Sequence, residues 1–282
     1  MPLDYRLKWN AATHPGLKRN NNEDCFLGSP ETGLWLVADG MGGHEAGEVA
    51  SAIVRDTLAQ QLADFSLVDA IQAAHQAILR AADQGIGAVG MGSTVVALSS
   101  HGKNYQVAWV GDSRAYLWAP DATAAGELVR LSRDHSYVQM LFSSGSITAD
   151  EIESHPDKHI ITQCLGIQQA AAVTVDTVQR QWQKNQWVLL CSDGLTDELN
   201  DAAIAAILAA NNNSLAAAEQ LMTAALQHGG RDNITLQIIE SPIGQVQHPG
   251  SAPAARFQLL LKQRRWLLLA LATLVAAALF IF

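Results

Sequence analysis

Short apolar runs bounded by turn-forming residues recur along the first 240 positions and indicate β-strands. The runs at 34–38 and 187–191 are continuous. They are followed by Asp39-Gly40 and Asp193-Gly194, which predicts that each buried strand enters a tight turn. Further strands are predicted at 93–99, 105–110, 115–118 and 234–239.

Four other segments carry apolar residues at the spacing of an α-helix: 46–62, 67–82, 202–209 and 215–227. Strands and helices therefore come in groups along the chain and do not alternate strictly. This grouping favours antiparallel sheets covered by helices, an α+β fold, over a doubly wound parallel sheet. Residues 1–240 are predicted to form one domain of this class.

Beyond residue 240 the character of the chain changes twice. Residues 241–258 contain three prolines among Gly, Gln and Ser and show no periodicity, which predicts a linker. Residues 259–282 consist of a basic flank followed by an apolar segment. The apolar segment, positions 266–282, carries no charge.

The apolar segment 266–282 has nearly the length of a membrane anchor. Its 17 residues would form a helix of roughly 25 Å, against about 30 Å for a bilayer core. Four cations precede it, Arg256, Lys262, Arg264 and Arg265, so the positive-inside rule predicts that the main domain lies on the cytoplasmic side of an inner or plasma membrane. A helix of the hydrophobic core is disfavoured, because the segment lacks a polar face and follows a linker.

The charge and cysteine content narrow the class of function. The chain has 282 residues, with 18 Lys and Arg against 27 Asp and Glu, and a formal net charge of −9. This acidity argues against nucleic acid as the main partner, because a phosphate backbone binds clustered cations. The spacings of Cys25, Cys164 and Cys191 fit neither a zinc site nor a disulfide framework, so free thiols in a reducing compartment are expected.

Three aspartates stand where predicted strands begin or end. Asp39 and Asp193 follow the two continuous apolar runs, and Asp232 precedes the last strand. One Asp-Gly pair is ordinarily a plain turn, but a strand that delivers an aspartate to its end fixes the carboxylate on a rigid frame. Three such positions point to an all-oxygen site for Mg²⁺ or Mn²⁺ rather than for zinc.

The three aspartates belong to a series of short motifs that runs over most of residues 13–238. In order, the motifs are Arg19-Asn20-Asn21-Asn22-Glu23-Asp24, Asp39-Gly40-Met41-Gly42-Gly43-His44, Met91-Gly92-Ser93-Thr94, Val110-Gly111-Asp112-Ser113-Arg114, Arg133-Asp134-His135-Ser136, Leu165-Gly166, Ser192-Asp193-Gly194-Leu195-Thr196-Asp197 and Asp232-Asn233-Ile234-Thr235. Each motif alone is weak. The ordered set resembles the metal-dependent Ser/Thr protein phosphatases of the 2C type, the PPM family, in its bacterial form.

The resemblance implies a fold and a metal site. The fold would be a four-layer α-β-β-α sandwich, with two antiparallel sheets flanked by helix pairs, followed here by one C-terminal transmembrane helix. The site would hold two Mn²⁺ or Mg²⁺ ions and, as in bacterial members, a third. In this pattern Asp39 bridges both ions, the Gly40 carbonyl binds one, Asp193 and Asp232 bind the other, Glu23 acts through water, Asp24 and Asn233 support the ligands, and Asp112 with Asp193 holds the third ion.

The implied reaction is hydrolysis of phosphoserine and phosphothreonine in proteins by in-line attack of a metal-bridging hydroxide. Two divalent ions lower the pKa of bound water and neutralise the phosphoryl charge. Arg19 would bind the substrate phosphate, since a guanidinium offers phosphate two parallel hydrogen bonds. Phosphoproteins and an opposing Ser/Thr kinase are the expected partners, at the cytoplasmic face of a bacterial inner membrane.

Two other functions stay open. An inactive phosphatase-like module that binds a partner at the membrane is disfavoured because Asp39, Asp193 and Asp232 are all present. The motifs do not distinguish a hydrolase of small phosphoesters from a protein phosphatase, because the chemistry at the metal ions would be the same. Met41 occupies the position at which animal-type members carry a histidine proposed as general acid, so the leaving-group acid is unassigned. Residues 137–161 correspond to the family's flap beside the site and have the pattern of an irregular, partly helical insertion.

Overall fold

The computed structural model describes residues 7–42, 46–62, 66–120, 126–167 and 172–243, which form two β-sheets and the helices that cover them. The strands are β1 (Trp9–His14), β2 (Asp24–Ser29), β3 (Leu34–Met41), β4 (Gly92–Ser93), β5 (Val95–His101), β6 (Asn104–Val110), β7 (Arg114–Ala119), β8 (Glu127–Arg130), β9 (Asp176–Gln181), β10 (Trp187–Cys191) and β11 (Ile234–Glu240). The helices are α1 (Ala46–Gln61), α2 (Leu67–Asp83), α3 (Tyr137–Ser143), α4 (Ala149–Ile152), α5 (Asp193–Thr196), α6 (Asp201–Ala210) and α7 (Ser214–His228).

The strand pairings of both sheets are antiparallel. Sheet I has the order β1-β11-β10-β7-β8, so the first and last described strands are neighbours. Sheet II has the order β2-β3-β5-β6-β9, and the short β4 pairs with the end of β3. The chain crosses from sheet II to sheet I at residues 111–113, between β6 and β7.

Alternating side chains give sheet II a core on each face. In β3, Leu34, Leu36 and Ala38 belong to the core formed with α1 and α2. Trp35 and Val37, which lie between them, belong to the core shared with sheet I. A strand that is buried on both faces needs apolar residues at successive positions, which explains the continuous run in the sequence.

Sheet I repeats this arrangement on its own side. Val188 and Leu190 of β10 pack in the core between the sheets, whereas Leu189 and Cys191 pack with residues of α6 and α7. The order of the layers is therefore helix pair, sheet II, sheet I, helix pair. The predicted α+β fold with two antiparallel sheets is confirmed.

The predicted apolar elements are present, with ends that differ by a few residues. The apolar pattern of the sequence does not predict β1, β2, β8 and β9, which are the four edge strands of the two sheets. Most of their residues are half-buried or exposed, so none of them forms an apolar run. Their place depends on pairing with an inner strand.

The tight turn predicted at Asp39-Gly40 is wrong. Strand β3 continues through both residues to Met41, and Gly40 pairs with Ser93 of β4. A Cβ on Gly40 would lie 2.0 Å from the carbonyl oxygen of Gly47 at the start of α1. The glycine is therefore required for the close approach of strand and helix.

The turn predicted at Asp193-Gly194 is also wrong, because Asp193 begins the one-turn helix α5. Ser192 precedes it in an extended conformation, as residues before a helix commonly do. A backbone hydrogen bond from Asp197 to the carbonyl of Asp193, at 2.8 Å, closes the turn of the helix.

The chain divides into two units, Met1–Gln245 and Val246–Phe282. The predicted linker from residue 244 onward and the predicted anchor at 259–282 lie outside the described residues. Within the described ranges up to residue 243, none of the helices combines the length and the apolar character that crossing a bilayer requires.

Candidate active site

Strand ends of both sheets meet around an open cavity of about 680 Å³. Eight of the nine site residues predicted from the sequence line this cavity: Arg19, Glu23, Asp39, Gly40, Asp112, Asp193, Asp232 and Asn233. The ninth, Asp24, is buried directly behind it, where it pairs with Asp39 across β2 and β3. The structure therefore brings together residues that are as far apart in the chain as 19 and 233.

Sheet II contributes Asp39, which the backbone and Thr94 hold in place. The Asp39 N–H donates to Thr94 Oγ1 at 3.1 Å, and the Thr94 N–H donates to the Asp39 carbonyl at 2.8 Å. Thr94 Oγ1 also pairs with Ser113 Oγ at 2.7 Å. Ser113 follows Asp112, so this buried hydroxyl pair links Asp39 to the crossover that carries Asp112.

Sheet I contributes Asp193, and Ser192 beside it reaches into sheet II. The Thr235 N–H donates to Ser192 Oγ at 3.0 Å, and Ser192 Oγ donates to Asp24 Oδ2 at 2.7 Å. These bonds join β11, the end of β10 and β2. The relative position of the two sheets at the cavity is therefore fixed by polar contacts as well as by the core.

Asp232 and Arg19 form an ion pair at the rim of the cavity. Arg19 Nη2 lies 2.7 Å from Asp232 Oδ2, and the Asn233 N–H donates to Asp232 Oδ1 at 2.7 Å. The Arg19 side chain is 53% exposed. Its guanidinium is thus held at the cavity and still accessible to a ligand.

Asn233 organises the loop that carries Arg19 and Glu23. Its Oδ1 accepts from the Glu23 N–H at 2.7 Å. Its Nδ2 donates to the carbonyls of Pro15, at 3.0 Å, and Asn21, at 2.8 Å. One amide side chain therefore ties the ends of this loop to the start of β11.

Burial and mutual repulsion act on the carboxylates of the site. Burial raises the pKa of Asp24 to about 7 and the pKa of Asp193 to about 6. Burial also raises the pKa values of Asp39 and Asp112 far above their ordinary range, and the charges of neighbouring aspartates add to both shifts. The metal-free site therefore favours protonated acids.

The donor set fits divalent cations. Asp24 Oδ1 and Asp193 Oδ1 are buried without a hydrogen-bond partner among the described residues. The cluster of carboxylates is larger than the charge of Arg19 can balance. Carboxylate and carbonyl oxygens are the ligands that Mg²⁺ and Mn²⁺ prefer.

Asp112 lies on the wall of the same cavity, and the charge of Asp193 is the first of the neighbouring charges that raise its pKa. The two side chains are therefore close enough to repel each other. The assignment of Asp112 and Asp193 to a third ion stays a prediction.

Five further titratable residues of the cavity wall were not among the predicted site residues: Lys158, His159, Asp197, Glu198 and Arg231. Asp197 pairs with two flap residues, because Lys158 Nζ lies 3.6 Å from its Oδ1 and His159 Nδ1 lies 3.4 Å from its Oδ2. Asp197 stands four residues after Asp193, the spacing that places both on one face of a helix. That spacing was the available signal, hidden by the prediction of a turn.

Comparisons with known proteins agree with this geometry. The sequence profile described as protein phosphatase 2C matches residues 18–228. The chain is 34% identical over 247 residues to the serine/threonine phosphatase stp of Listeria innocua, which covers 83% of this chain and 95% of that protein. It is also 34% identical over 251 residues to the serine/threonine protein phosphatase PstP of Mycobacterium tuberculosis, which covers 86% of this chain and 47% of that protein.

Solved structures of serine/threonine phosphatases are also similar to this chain. The catalytic domain of PstP in complex with two manganese ions superposes with a TM-score of 0.72 at 33% identity, covering 83% of this chain and 97% of that one. The serine/threonine phosphatase Stp1 of Staphylococcus aureus superposes with a TM-score of 0.76 at 31% identity, covering 85% and 97%.

The raised pKa values predict how pH changes the stability of the metal-free chain. In the unfolded chain Asp24 and Asp193 titrate near 3.9, but in the folded chain near 7 and 6. The folded state therefore binds more protons between pH 8 and pH 5, so the free energy of unfolding should rise on acidification through this window, and these two groups alone contribute about 4 kcal/mol. Thermal unfolding in EDTA, followed by circular dichroism, measures it.

Two controls accompany this measurement. The Asp193→Asn variant should show a shallower pH dependence, because one of the titrating groups is gone. Saturating Mn²⁺ should stabilise the wild type most at pH 8 and progressively less toward pH 5, because the ion binds ionised carboxylates. A metal-free melting temperature that stays constant or falls from pH 8 to pH 5 would contradict the prediction.

Proposed function

The chain belongs to the protein phosphatase 2C family and is a serine/threonine protein phosphatase, and we propose that it removes phosphate from phosphoserine and phosphothreonine through a two-ion site. The observation that carries this proposal is the convergence of Asp39, Asp193 and Asp232 in one cavity with Arg19 at its rim. A phosphomonoester dianion needs its charge neutralised, and this cavity is arranged to hold cations.

The side chains divide the work of the site. When bound, Mn²⁺ or Mg²⁺ would supply an activated water and neutralise charge on the phosphoryl group. Asp39, Asp193 and Asp232 would hold these ions, with the Gly40 carbonyl and Glu23 as further oxygen donors. Arg19 binds and orients the phosphate through its accessible guanidinium. The thioether of Met41, which lines the cavity, cannot donate a proton.

The proposed reaction is tested with a phosphothreonine peptide. The purified chain should release phosphate in Mn²⁺ and not in EDTA. Asp193→Asn, which removes a proposed ion ligand, should lower kcat/KM roughly 100-fold or more. Asp56→Asn is the matched control, because Asp56 is an exposed acid on α1 that pairs only with Arg55 among the described residues.

Absence of Mn²⁺-dependent release from the wild-type chain would refute the enzymatic proposal and favour the binding module. A kcat/KM no higher for the peptide than for p-nitrophenyl phosphate would favour a hydrolase of small phosphoesters. Both assays use the same preparation, so the three functions are separated in one series.

Arg19 provides a second test. Arg19→Ala removes charge-assisted hydrogen bonds to the phosphate, each of about 1.5–3 kcal/mol, so kcat/KM should fall by roughly 10- to 100-fold. Arg19→Lys keeps the charge but not the planar fork, and its kcat/KM should lie between the two. Arg55→Ala removes an arginine of α1 that is likewise paired with one aspartate at 2.7 Å, and it should have no effect. Equal kcat/KM for wild type and Arg19→Ala would exclude Arg19 from phosphate binding.

A Ser/Thr kinase is the proposed counterpart of this enzyme, since phosphoserine and phosphothreonine substrates require a kinase as their source. Cells that carry Asp193→Asn in place of the wild type should accumulate phosphate on a defined set of serines and threonines. Phosphoproteomics of the two strains measures this. Identical phosphosite occupancies in the two strains would count against it.

We further propose that residues 266–282 tether the enzyme to the cytoplasmic face of a membrane. The support is the uncharged run of 17 residues and the four cations that precede it. The full chain should remain with membranes after carbonate extraction and dissolve in detergent, whereas a chain that ends at residue 258 should stay in the supernatant. Recovery of the full chain in the supernatant without detergent would exclude the tether.

A further inference from the structure

Glu198 is a buried acid on the wall of the active-site cavity that the reaction described above does not use. Its side chain is 1% exposed. It follows α5 by two residues, and the Glu198 N–H donates to the Leu195 carbonyl at 3.3 Å. Glu198 is therefore fixed to the short helix whose first residue is Asp193.

All the hydrogen bonds that the Glu198 carboxylate accepts from described residues come from Arg231. The Arg231 backbone N–H donates to Oε1 at 2.9 Å, its Nε donates to Oε1 at 3.0 Å, and its Nη2 donates to Oε2 at 3.1 Å. The Arg231 side chain itself is 68% exposed. Arg231 directly precedes Asp232, so the buried acid on one ligand segment grips the backbone of the other.

The segment before Asp232 is shaped to receive this acid. A Cβ on Gly229 would lie 2.9 and 3.0 Å from the two Glu198 carboxylate oxygens, so a side chain there would push the acid away. A second close contact involves α5 itself, where a Cβ on Gly194 would lie 2.0 Å from the Asn233 carbonyl oxygen. Two contacts therefore set the spacing of the segments that carry Asp193 and Asp232.

We infer that Glu198 is a positioning residue that holds Asp232 against Asp193 through Arg231 and thereby sets the affinity of the site for divalent cations. The inference rests on the proposed metal-dependent function. A cation site loses affinity when its ligands drift by a fraction of an ångström, and the groups that hold the ligands affect affinity nearly as strongly as the ligands themselves. Glu198 thus keeps Asp232 in position without contacting the ion itself.

The test is calorimetric titration of Mn²⁺ into the metal-free chain. Glu198→Gln keeps the shape of the side chain but turns an amide toward the guanidinium. Arg231→Gln removes the guanidinium and leaves the backbone N–H of residue 231 as the donor to Glu198. Each should weaken Mn²⁺ binding by about tenfold. Arg231→Lys keeps the backbone hydrogen bond and the charge, and should recover part of the affinity. In the combined Glu198→Gln/Arg231→Gln variant the losses should not add, because both changes break one contact.

Glu240→Gln is the matched control. Glu240 is a half-buried acid at the far end of β11, and it accepts from the Ser214 N–H at 3.1 Å and Oγ at 2.6 Å. Its loss should lower the melting temperature and leave Mn²⁺ affinity unchanged. In the phosphopeptide assay Glu198→Gln should shift the Mn²⁺ concentration for half-maximal rate about tenfold and leave kcat at saturating Mn²⁺ within about twofold.

The possible outcomes distinguish a failure of the proposed metal-dependent function from a failure of the positioning role of Glu198. No Mn²⁺ binding by the wild type would overturn the proposed metal-dependent function and this inference with it. Mn²⁺ binding by the wild type with equal affinity in Glu198→Gln would overturn the positioning role alone. Equal weakening in Glu198→Gln and Glu240→Gln would also overturn it, because the effect would then be a general loss of stability.

Discussion

Buried carboxylates that repel one another meet at the cavity, and the fold must hold them there. Asp24, Asp39, Asp112 and Asp193 are drawn together at one end of the sandwich, where burial and neighbouring charge favour their protonated forms. A single short segment could not hold these four carboxylates together, because each side chain would rotate into the solvent. Each acid is instead carried by a different element, and the cores on both sides of each sheet keep those elements in place.

Hydrogen bonds from uncharged side chains also hold the site segments in place, in addition to the hydrophobic cores. Thr94, Ser192 and Asn233 each connect a site segment to another part of the chain through hydrogen bonds to backbone groups. Such groups add no charge to a site that already has too much of one sign. The Lys and Arg side chains on the described cavity wall are paired: Arg19 with Asp232, Lys158 with Asp197, and Arg231 with Glu198.

Strands that are buried could be predicted from the sequence, because burial requires a pattern of apolar residues. Strands that are held mainly by pairing with a neighbour could not. The inner strands β3 and β10 are buried on both faces and were predicted from their apolar runs. Edge strand β9, by contrast, has mostly exposed residues and exists because β6 offers it hydrogen bonds. The three aspartates at strand ends indicated one metal site by themselves, and the resemblance added Arg19, Glu23 and Asp112 to it. The contact of Glu198 with Arg231 could not be predicted from the sequence, because 33 residues separate the two in the chain.

The pairing of β1 with β11 gives the catalytic unit two poles. His14 faces Ile234 at the pole of the cavity, whereas Trp9 faces Ile239 at the other. The seven residues of β11 separate the poles by roughly 20 Å. Residues 7 and 243, the first and last of the described ranges, therefore lie at the pole opposite the cavity. A fusion partner joined directly to either of these two residues would begin about 20 Å from the mouth of the site.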